Sequence, residues 1–472
     1  MPAPPIPFAL AASLLACSVA SEDEKPQDGW ARLDEAARAK VHARADDYRA
    51  FLGKSLTEIT TVAEARARAR AAGFAAVEWT GDDPLPAGPG SRIFVGNRDR
   101  AALLVVRGER PISRGVRLVG THIDSPRLDL KGNPLYDAEG FALLQTNPHG
   151  GIKKYQWGNV PLALFGRVAR TDGSVLDVAV GLETGDPVLV IPDVAPHEDR
   201  EMRDRTYEKV FKGEELDPIV GSIGGGKEVR EAIASLLTER YGLDAAGFAS
   251  AELSLVPATA PRDVGFDRSM VGAYGQDDRL CSYAGLVALL ELKGTPARTC
   301  VLYLTDNEET GSGNNTGAAS SFLRDVLAAL AGPEISGDPL LLARTLARVE
   351  AISADVTTGV NPIFPSTQEK TNAARLGGGV ALKRYGRGSD ANAEFSARVL
   401  RILEEAKVPW QLHTYKVDVG GGGTIGGFLS AEGMEVIDLG VPILSMHSPY
   451  EVSSKVDLHF LVEALSAFYG SP

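Results

Sequence analysis

The stretch CVLYLTDNEETGSG, residues 300–313, places a cluster of acidic side chains directly after an apolar run. The run from Thr299 to Leu304 predicts a buried strand, because its consecutive apolar residues give the strand no polar face that could contact water. Asp306, Glu308 and Glu309 follow where that strand ends. In open α/β sheets ligands bind outside the carboxyl ends of the strands, so acidic residues at this point predict a functional site.

Short apolar strands and helices alternate on both sides of this stretch, which predicts an α/β fold. Further strands are predicted at Ser91 to Val95, Ala101 to Arg107, Gly115 to Thr121 and Val349 to Ala354. Helices are predicted after Ser55, from Ser282, from Ala318, near Ala391 to Ala406 and from Lys455. The helix after Ser55 is expected to begin on that serine as its cap and to close at Gly73.

Between residues 127 and 263 the pattern changes to short β-like pieces separated by Gly, Pro and Asp turns. The pieces are PLALFGRVAR, VLDVAVGL and DPVLVIPDV, with one helix near Lys227 to Tyr241. This sequence pattern predicts an inserted, strand-rich domain. The predicted division is a main domain at 30–126 and 264–472, an insert at 127–263, and an N-terminal extension or signal at 1–29.

The composition limits the classes of partner. With 472 residues and 44% hydrophobic content, the chain has ample material for a core. Its formal net charge of −13 argues against nucleic acid and anionic membranes, because phosphate binding requires a basic face. Cys17, Cys281 and Cys300 are too far apart for a zinc knuckle or a CxxC redox motif.

The N-terminus contains an apolar stretch from Phe8 to Ala20, which is too short to span a bilayer as a helix. Leu14 to Cys17 (LLAC) looks like a lipoprotein cleavage box. However, no Lys or Arg precedes the apolar stretch, whereas export signals normally carry a positive region there. We expect a cytoplasmic protein without a membrane-spanning segment; export or lipid anchoring through Cys17 is the alternative.

Metal-binding side chains recur where apolar runs end. They are His122 in GTHIDSPRL, Asp277 and Asp278 in YGQDDRLCSY, Glu308 and Glu309 in TDNEETGS, Asp355 in ISADVTT, and His447 in LSMHSPYE. One such carboxylate is more often a helix cap, and one histidine is more often structural. Five sites of this kind are hard to explain as independent caps, so we expect them to converge.

The chemistry that this set supports is that of a two-metal hydrolase. Two divalent ions need imidazole and carboxylate ligands, one carboxylate shared between them, and a position left open for water. In the pair Glu308 and Glu309, one side chain can bind metal while the other stays free as a general base. His122 and Asp124 share a face of an extended chain, so Asp124 can hold the second imidazole nitrogen.

The motifs GTHIDSPRLDLK, YGQDDRLCSYAGL, TDNEETGSG, ISADVT, VDVGGGGTIGGFLS and SMHSPYE occur in this order from about Trp30 to the C-terminus. Together they resemble the aminopeptidase I and aspartyl aminopeptidase family of cocatalytic zinc peptidases. The resemblance implies a metal-dependent aminopeptidase with a zinc-peptidase-like α/β/α sandwich. It also implies two divalent ions per subunit, zinc in the first place, with cobalt and manganese as alternatives.

The resemblance assigns a role to each site residue. It implies one ion on His122 and Asp355, a second on Glu309 and His447, a bridge through Asp277, and Glu308 as the general base. The choice of Asp277 over Asp278 rests on register against Ser282 and Leu286. Gly423 and Thr424 belong to a glycine-rich stretch that lines the substrate pocket in the family; a flexible turn is the alternative.

The resemblance also implies an assembly. The insert would mediate dimerisation, and dimers would form a homododecamer whose inner cavity admits peptide substrates. His197, in IPDVAPH with Val194 in place of the family's leucine, would reach into the neighbouring subunit's site. From the residues alone His197 is a loop histidine after Pro196, and His149 is the next candidate for that role.

Other interpretations lead to different functions. GSIGGGK, residues 221–227, has phosphate-loop spacing, but Glu228 stands where Ser or Thr must hold magnesium, so a loop before a helix is preferred. Paired carboxylates also suit a glycosidase, which leaves both histidines without a role. A catalytically impaired scaffold protein is the remaining alternative. Lys383 and Arg384 are candidates for binding an acidic substrate residue, but we prefer surface solvation for them and a neutral or broad substrate preference.

Overall fold

The computed structural model describes residues 28–81, 85, 86, 88–332, 338, 340–385 and 390–471. Cys17 and the apolar N-terminal stretch lie outside these residues, so the expected cytoplasmic location and its alternative, export or lipid anchoring, stay predictions. Within the described part of the chain, no helix combines the length and the apolar character that crossing a membrane requires.

Strands and helices are numbered here in chain order. The strands are β1 (Ala75–Glu78), β2 (Arg92–Asn97), β3 (Ala101–Val106), β4 (Val116–His122), β5 (Arg127–Ala138), β6 (Phe141–His149), β7 (Leu162–Ala169), β8 (Val175–Val180), β9 (Ile219–Gly221), β10 (Ala251–Pro257), β11 (Arg262–Val264), β12 (Met270–Ala273), β13 (Thr299–Thr305), β14 (Glu350–Ala354), β15 (Thr357–Thr358), β16 (Val380–Lys383), β17 (Trp410–His413), β18 (Glu435–Gly440), β19 (Pro442–Leu444) and β20 (Glu451–Ser454). The α-helices are α1 (Glu35–Lys54), α2 (Glu58–Ala71), α3 (Arg200–Arg203), α4 (Val229–Tyr241), α5 (Ala245–Ala249), α6 (Gln276–Leu290), α7 (Phe322–Leu330), α8 (Leu341–Leu346), α9 (Ala393–Glu405), α10 (Gly426–Ala431) and α11 (Lys455–Gly470).

The main sheet is mixed and has nine strands in the order β1-β2-β3-β13-β4-β14-β18-β16-β17. Its centre is parallel, because β13 and β14 flank β4 in the same direction and β18 continues beside β14. Every residue of β4 and β13 is buried, as expected for strands covered on both faces.

Helices cover both faces of this sheet. One core joins the sheet to α1, α2, α6, α9 and α11, and the other joins it to α7, α8 and α10. Side chains alternate between the two cores along β4, where Leu118 belongs to one and Val119 to the other. The predicted α/β/α sandwich is confirmed.

The strands β5 to β10 form a separate, antiparallel sheet in the order β8-β7-β10-β5-β6-β9. A core of its own, which includes Trp157, Phe165 and Phe248, packs this sheet against neighbouring segments. A third sheet, β11-β12-β20-β19-β15, already begins at Arg262. The exact division at residues 127 and 263, and the dimerising role of the insert, stay predictions.

Some local expectations were wrong. The cap of α2 is Thr57 rather than Ser55, because Thr57 and Thr60 exchange side-chain and backbone hydrogen bonds as a capping box. Helix α6 begins at Gln276 rather than at Ser282, which lies buried inside the helix and donates to the His122 carbonyl. Helix α7 begins at Phe322, four residues after the expected start.

The piece DPVLVIPDV, residues 186–194, forms no regular strand. It contributes only isolated bridges, from Leu189 to Leu162 and from Val190 to Ile219. Pro187 and Pro192 flank these bridges, and neither has an amide hydrogen to continue a ladder.

Candidate metal centre

The candidate site lies at the carboxyl ends of the three central parallel strands. His122 is the last residue of β4, Glu308 and Glu309 follow β13, and Asp355 follows β14. Because β13 and β14 flank β4, these side chains meet at one edge of the main sheet. The convergence follows from the sheet order, which places the ends of neighbouring strands side by side.

Asp277 and His447 complete the site from other elements. Asp277 lies in the first turn of α6, where its backbone dihedral angles are non-helical. His447 follows β19 with a positive φ of 62°, a conformation that non-glycine residues seldom adopt and that often marks functional positions.

These side chains form two groups that share one residue. Ligand atoms of His122, Asp277 and Asp355 lie within 4.8 Å of one another, and so do those of Asp277, Glu309 and His447. The two carboxylate oxygens of Asp277 point to different histidines: Oδ1 lies 3.3 Å from His122 Nε2, and Oδ2 lies 3.2 Å from His447 Nε2. Asp277 therefore has the placement that a bridging ligand requires.

The distances between donor atoms fit a zinc coordination sphere. Two ligands bound at 2.0–2.1 Å with tetrahedral angles lie about 3.3 Å apart. His447 Nε2 and Glu309 Oε1 are separated by 3.3 Å, as are His122 Nε2 and Asp277 Oδ1. Glu309 Oε1 is also buried without a hydrogen-bond partner among the described residues. A buried carboxylate oxygen in that state fits a metal ligand.

The electrostatics of the site favour a cation. Burial, together with the charge of Asp277, raises the pKa of Glu309 well above its usual value. Burial also raises the pKa of Asp355, with Asp277 contributing and Lys383 opposing. Burial disfavours the charge on Asp277 as well, yet His122 and His447 hold its pKa below the usual range. A bound cation removes the need for these carboxyl groups to retain protons.

Both histidines are oriented by their second ring nitrogen. His122 Nδ1 lies 3.1 Å from the Asp124 carbonyl oxygen and 3.3 Å from Asp124 Oδ1. His447 Nδ1 lies 2.8 Å from the Gly151 carbonyl oxygen. Oxygen partners on Nδ1 keep the proton there, which leaves Nε2 of each ring free to bind metal.

The side chains of the two adjacent glutamates are placed differently, although the same carboxylate holds both backbone amides. They lie in a short 3-10 turn, Glu308–Thr310, that Asn307 enters in the left-handed conformation. The Asp124 carboxylate accepts both of their amides, from Glu308 N at 3.0 Å and from Glu309 N at 3.2 Å. Glu309 joins the second group of ligands, whereas Glu308 belongs to neither group and its Oε2 lies 4.0 Å from His122 Nε2. Burial raises the pKa of Glu308 to about 7.

The neighbouring Asp278 is placed differently from Asp277. Asp278 Oδ1 accepts the Val356 amide at 3.3 Å, and Asp278 belongs to neither group of ligands. The geometry therefore favours the choice of Asp277 that rested on register.

The sequence-based account missed Glu451, four residues after His447. Glu451 is 1% exposed and accepts the amides of His447 (2.8 Å), Gln276 (2.6 Å) and Asp277 (3.1 Å). It thereby ties the His447 turn to the start of α6. Its place in SMHSPYE was the available signal, although a glutamate beginning a strand carries no specific meaning by itself.

Surface solvation, the role preferred for Lys383, is wrong. Lys383 is 7% exposed, and its Nζ lies 3.2 Å from Asp355 Oδ2. Burial lowers the pKa of Lys383, but Asp355 together with Tyr415, Asp438 and Cys281 outweighs burial and holds the pKa above its usual value. Arg384, next to it, is half-buried and donates to Ser396 Oγ at 3.4 Å.

A cavity of about 940 Å³ opens above the site. Its wall includes site residues, Lys153, Tyr155 and Tyr207 of the insert, and the glycines at 420–423. Gly423 therefore lines the cavity. Thr424 is not among the lining residues, and its hydroxyl donates to Asp438 Oδ1 at 2.8 Å and accepts the Gly426 amide. Thr424 thus lies behind the lining residues of the cavity and supports the backbone there.

His197 lies outside this cavity within its own subunit. It is exposed, in a turn where the Glu198 amide donates to the Ala195 carbonyl, and it is not a lining residue. His149 lies at the end of β6, is 6% exposed, and contacts Asp124 Oδ2 at 3.1 Å through Nε2.

Comparisons with known proteins match the chain to one family. The sequence model of the family described as aminopeptidase I zinc metalloprotease (M18) matches residues 51–469. A probable M18 family aminopeptidase 1 of Clostridium acetobutylicum is 39% identical over 94% of this chain and 97% of its own length.

Solved structures match the whole fold. The crystal structure of the M18 family aminopeptidase of Thermotoga maritima has a TM-score of 0.89 at 38% identity, covering 95% of this chain and all of that chain. The structure of the S. cerevisiae mApe1 dodecamer has a TM-score of 0.74 at 22% identity, covering 90% of this chain and 96% of that chain, and shows the likeness of fold alone. The resemblance seen in the motifs is confirmed: the chain belongs to the M18 family of zinc metalloproteases and is an aminopeptidase of that family.

Proposed function

We propose that this aminopeptidase removes N-terminal residues from peptides by means of two divalent ions, zinc in the first place, with cobalt and manganese as alternatives. His122 and Asp355 would hold one ion, Glu309 and His447 the other, and Asp277 would bridge them. The observation that carries the proposal is the position of Asp277, whose two oxygens face two different histidine-containing groups.

Glu308 and Asp124 have separate roles in the proposed reaction. When bound, the ions supply Lewis-acid chemistry to the attacking water and the scissile carbonyl. Glu308, which is outside both groups of ligands, takes the proton from the attacking water and delivers it to the leaving amine. Asp124 holds the imidazole of His122 and the turn that carries Glu308.

The cavity supports peptide substrates without a marked preference for acidic residues. Lys383 is paired with Asp355, so it is not a free cation for a substrate carboxylate. Two other lysines, Lys153 and Lys416, line the cavity wall. Lys153 Nζ lies 5.7 Å from the centre of the Tyr207 ring, and Lys416 donates to the Ser366 carbonyl. A neutral or broad preference fits this arrangement.

A panel of aminoacyl reporters tests the proposed activity. The metal-free chain, resupplied with zinc, cobalt or manganese, is expected to release reporters with neutral N-terminal residues, and a chelator should abolish the release. N-terminally acetylated reporters are the control and should stay intact, because an aminopeptidase requires a free amino group. Turnover of these reporters that survives chelation would contradict the metal-dependent mechanism, and no turnover with any metal would favour the impaired scaffold protein. A preference for acidic residues would instead point to Lys153 and Lys416.

We also propose that the insert, residues 127–263, is the dimerisation domain of a homododecamer, with residues 30–126 and 264–472 as the catalytic domain. Exposed apolar side chains on the insert support an interface there: Ile223 is 79% exposed, Val188 46% and Leu236 44%. His197 is exposed on the same insert, which leaves it available to a neighbouring subunit. The net charge of −13 argues against nucleic acid as a further partner.

A further inference from the structure

The end of strand β6, in the insert, reaches into the metal centre of its own subunit. Three consecutive residues there, His149, Gly150 and Gly151, contact the site. Gly151 accepts from His447 Nδ1. Gly150 has a φ of +75°, and a Cβ there would lie only 3.1 Å from the Glu309 side chain, so the close approach requires glycine.

His149 is held by two carboxylates, one on each ring nitrogen. Its Nε2 lies 3.1 Å from Asp124 Oδ2, and its Nδ1 lies 3.3 Å from Asp129 Oδ2. Burial lowers the pKa of His149, but the two carboxylates outweigh burial and raise it to about 9. Both nitrogens are therefore occupied as donors, which argues against His149 as a donor to a reacting substrate, the role for which it was the second candidate.

Asp124 is the point where His149 joins the site. Its Oδ1 accepts the Glu308 amide and lies beside His122 Nδ1. Its Oδ2 accepts the Glu309 amide and faces His149 Nε2. Asp124 is 0% exposed, so these groups replace all of the water that would solvate the carboxylate.

The contacts behind His149 hold it in place. Asp129 Oδ1 accepts from Arg127 Nε at 2.8 Å and from Ser254 Oγ at 2.6 Å. Arg127 Nη1 in turn lies 3.2 Å from Glu58 Oε2 on helix α2. Alternating charges thus connect a helix of the main domain to Asp124 through the insert.

We infer that His149 is a positioning residue of the metal centre. By holding Asp124 Oδ2, His149 keeps the Asp124 carboxylate in one orientation. In that orientation Asp124 directs His122 Nε2 towards the metal position and fixes the Glu308–Glu309 turn. The insert then has a second role besides assembly, since it completes the metal centre within its own subunit. The inference rests on the proposed metal site and not on the peptidase activity.

Two substitutions separate the two contacts of His149. The amide nitrogen of glutamine lies near the position of Nε2, so His149→Gln keeps the donor to Asp124 and loses the contact with Asp129. The amide nitrogen of asparagine lies near the position of Nδ1, so His149→Asn does the reverse. Zinc affinity, measured by competition with a chromophoric chelator, is the main readout, with kcat, KM and the melting temperature beside it.

We expect His149→Asn to bind zinc about 10- to 100-fold more weakly and to lose kcat by a similar factor with little change in KM, because partners of metal-binding histidines have effects of this size. His149→Gln should retain zinc affinity and kcat close to the wild type, although its melting temperature should fall. His459→Asn is the matched control: His459 is also 6% exposed but lies on α11 beside Arg44, so its substitution should affect stability alone.

Equal zinc affinity in the wild type and His149→Asn would overturn the inference, and so would equal losses in the glutamine and asparagine variants. If the asparagine variant does not fold, His149→Gln decides alone. In that case, zinc affinity that falls together with the melting temperature contradicts the inference, and retained affinity supports it. Because zinc binding is measured directly, this result stands even if the chain hydrolyses none of the reporters.

Discussion

Glu308→Gln is expected to lower kcat by about two to four orders of magnitude, the scale of a lost general base, while both ions remain bound. The substitution keeps the size of the side chain but removes its ability to accept a proton. Glu308 belongs to neither group of ligands, so metal binding should persist. A bound cation lowers the pKa of a neighbouring carboxyl group, which keeps Glu308 available as a base at neutral pH. Single-turnover kinetics and the zinc content of the purified variant check both halves of the expectation.

Glu309→Gln is the matched control, since it makes the same chemical change in the adjacent residue. Glu309 Oε1 lies 3.3 Å from His447 Nε2 within the second group of ligands, so this variant should lose zinc affinity as well as activity. Separate roles for the two glutamates would be wrong if both variants lost zinc equally and kept equal residual rates.

His197→Phe is expected to lower kcat by about a hundredfold, as for the loss of one donor to a developing oxyanion. In its own subunit His197 is exposed and outside the cavity, so the effect requires that it act on a neighbouring subunit. The variant should keep its zinc content and should sediment like the wild type as a large assembly. A wild-type chain that sediments as a monomer would contradict both the assembly and this role.

Mixed assemblies test the action of His197 across subunits. When His197→Phe and Glu308→Gln subunits are combined, one of the two sites in each mixed dimer carries an intact Glu308 and receives an intact His197. Such hybrids should therefore be more active than the average of their parents. Activity equal to that average would show that His197 serves its own subunit or is a loop residue without a catalytic role.

The candidate ligands could be picked out from the sequence because the ends of strands carry a local signal. His122, Glu309 and Asp355 each lie where an apolar run ends, and the parallel order of β13, β4 and β14 brings such ends together. The α/β/α fold was accessible for the same reason, since fully apolar strands alternating with helices predict a sheet covered on both faces.

The support of the ligands was not accessible, because it depends on contacts between distant segments. In the sequence, Lys383 is only a charged residue at the end of a strand. In the structure, the position of β16 brings the Lys383 ammonium group next to Asp355. His149 is 25 residues from Asp124, and its contact depends on how the insert packs against the main domain. Local signals also competed in the case of α2, where Ser55 and Thr57 both have the chemistry of a cap and only the hydrogen bonds distinguish them.

The number of zinc ions bound per subunit tests the central proposal most directly. Metal-free protein, equilibrated with excess zinc and freed of unbound metal, is analysed for zinc against protein concentration. Two ions per chain in the wild type is the predicted result, because Asp277 presents one oxygen to each of two groups of ligands. A single ion per chain, with full aminopeptidase activity, would contradict the proposed dinuclear site.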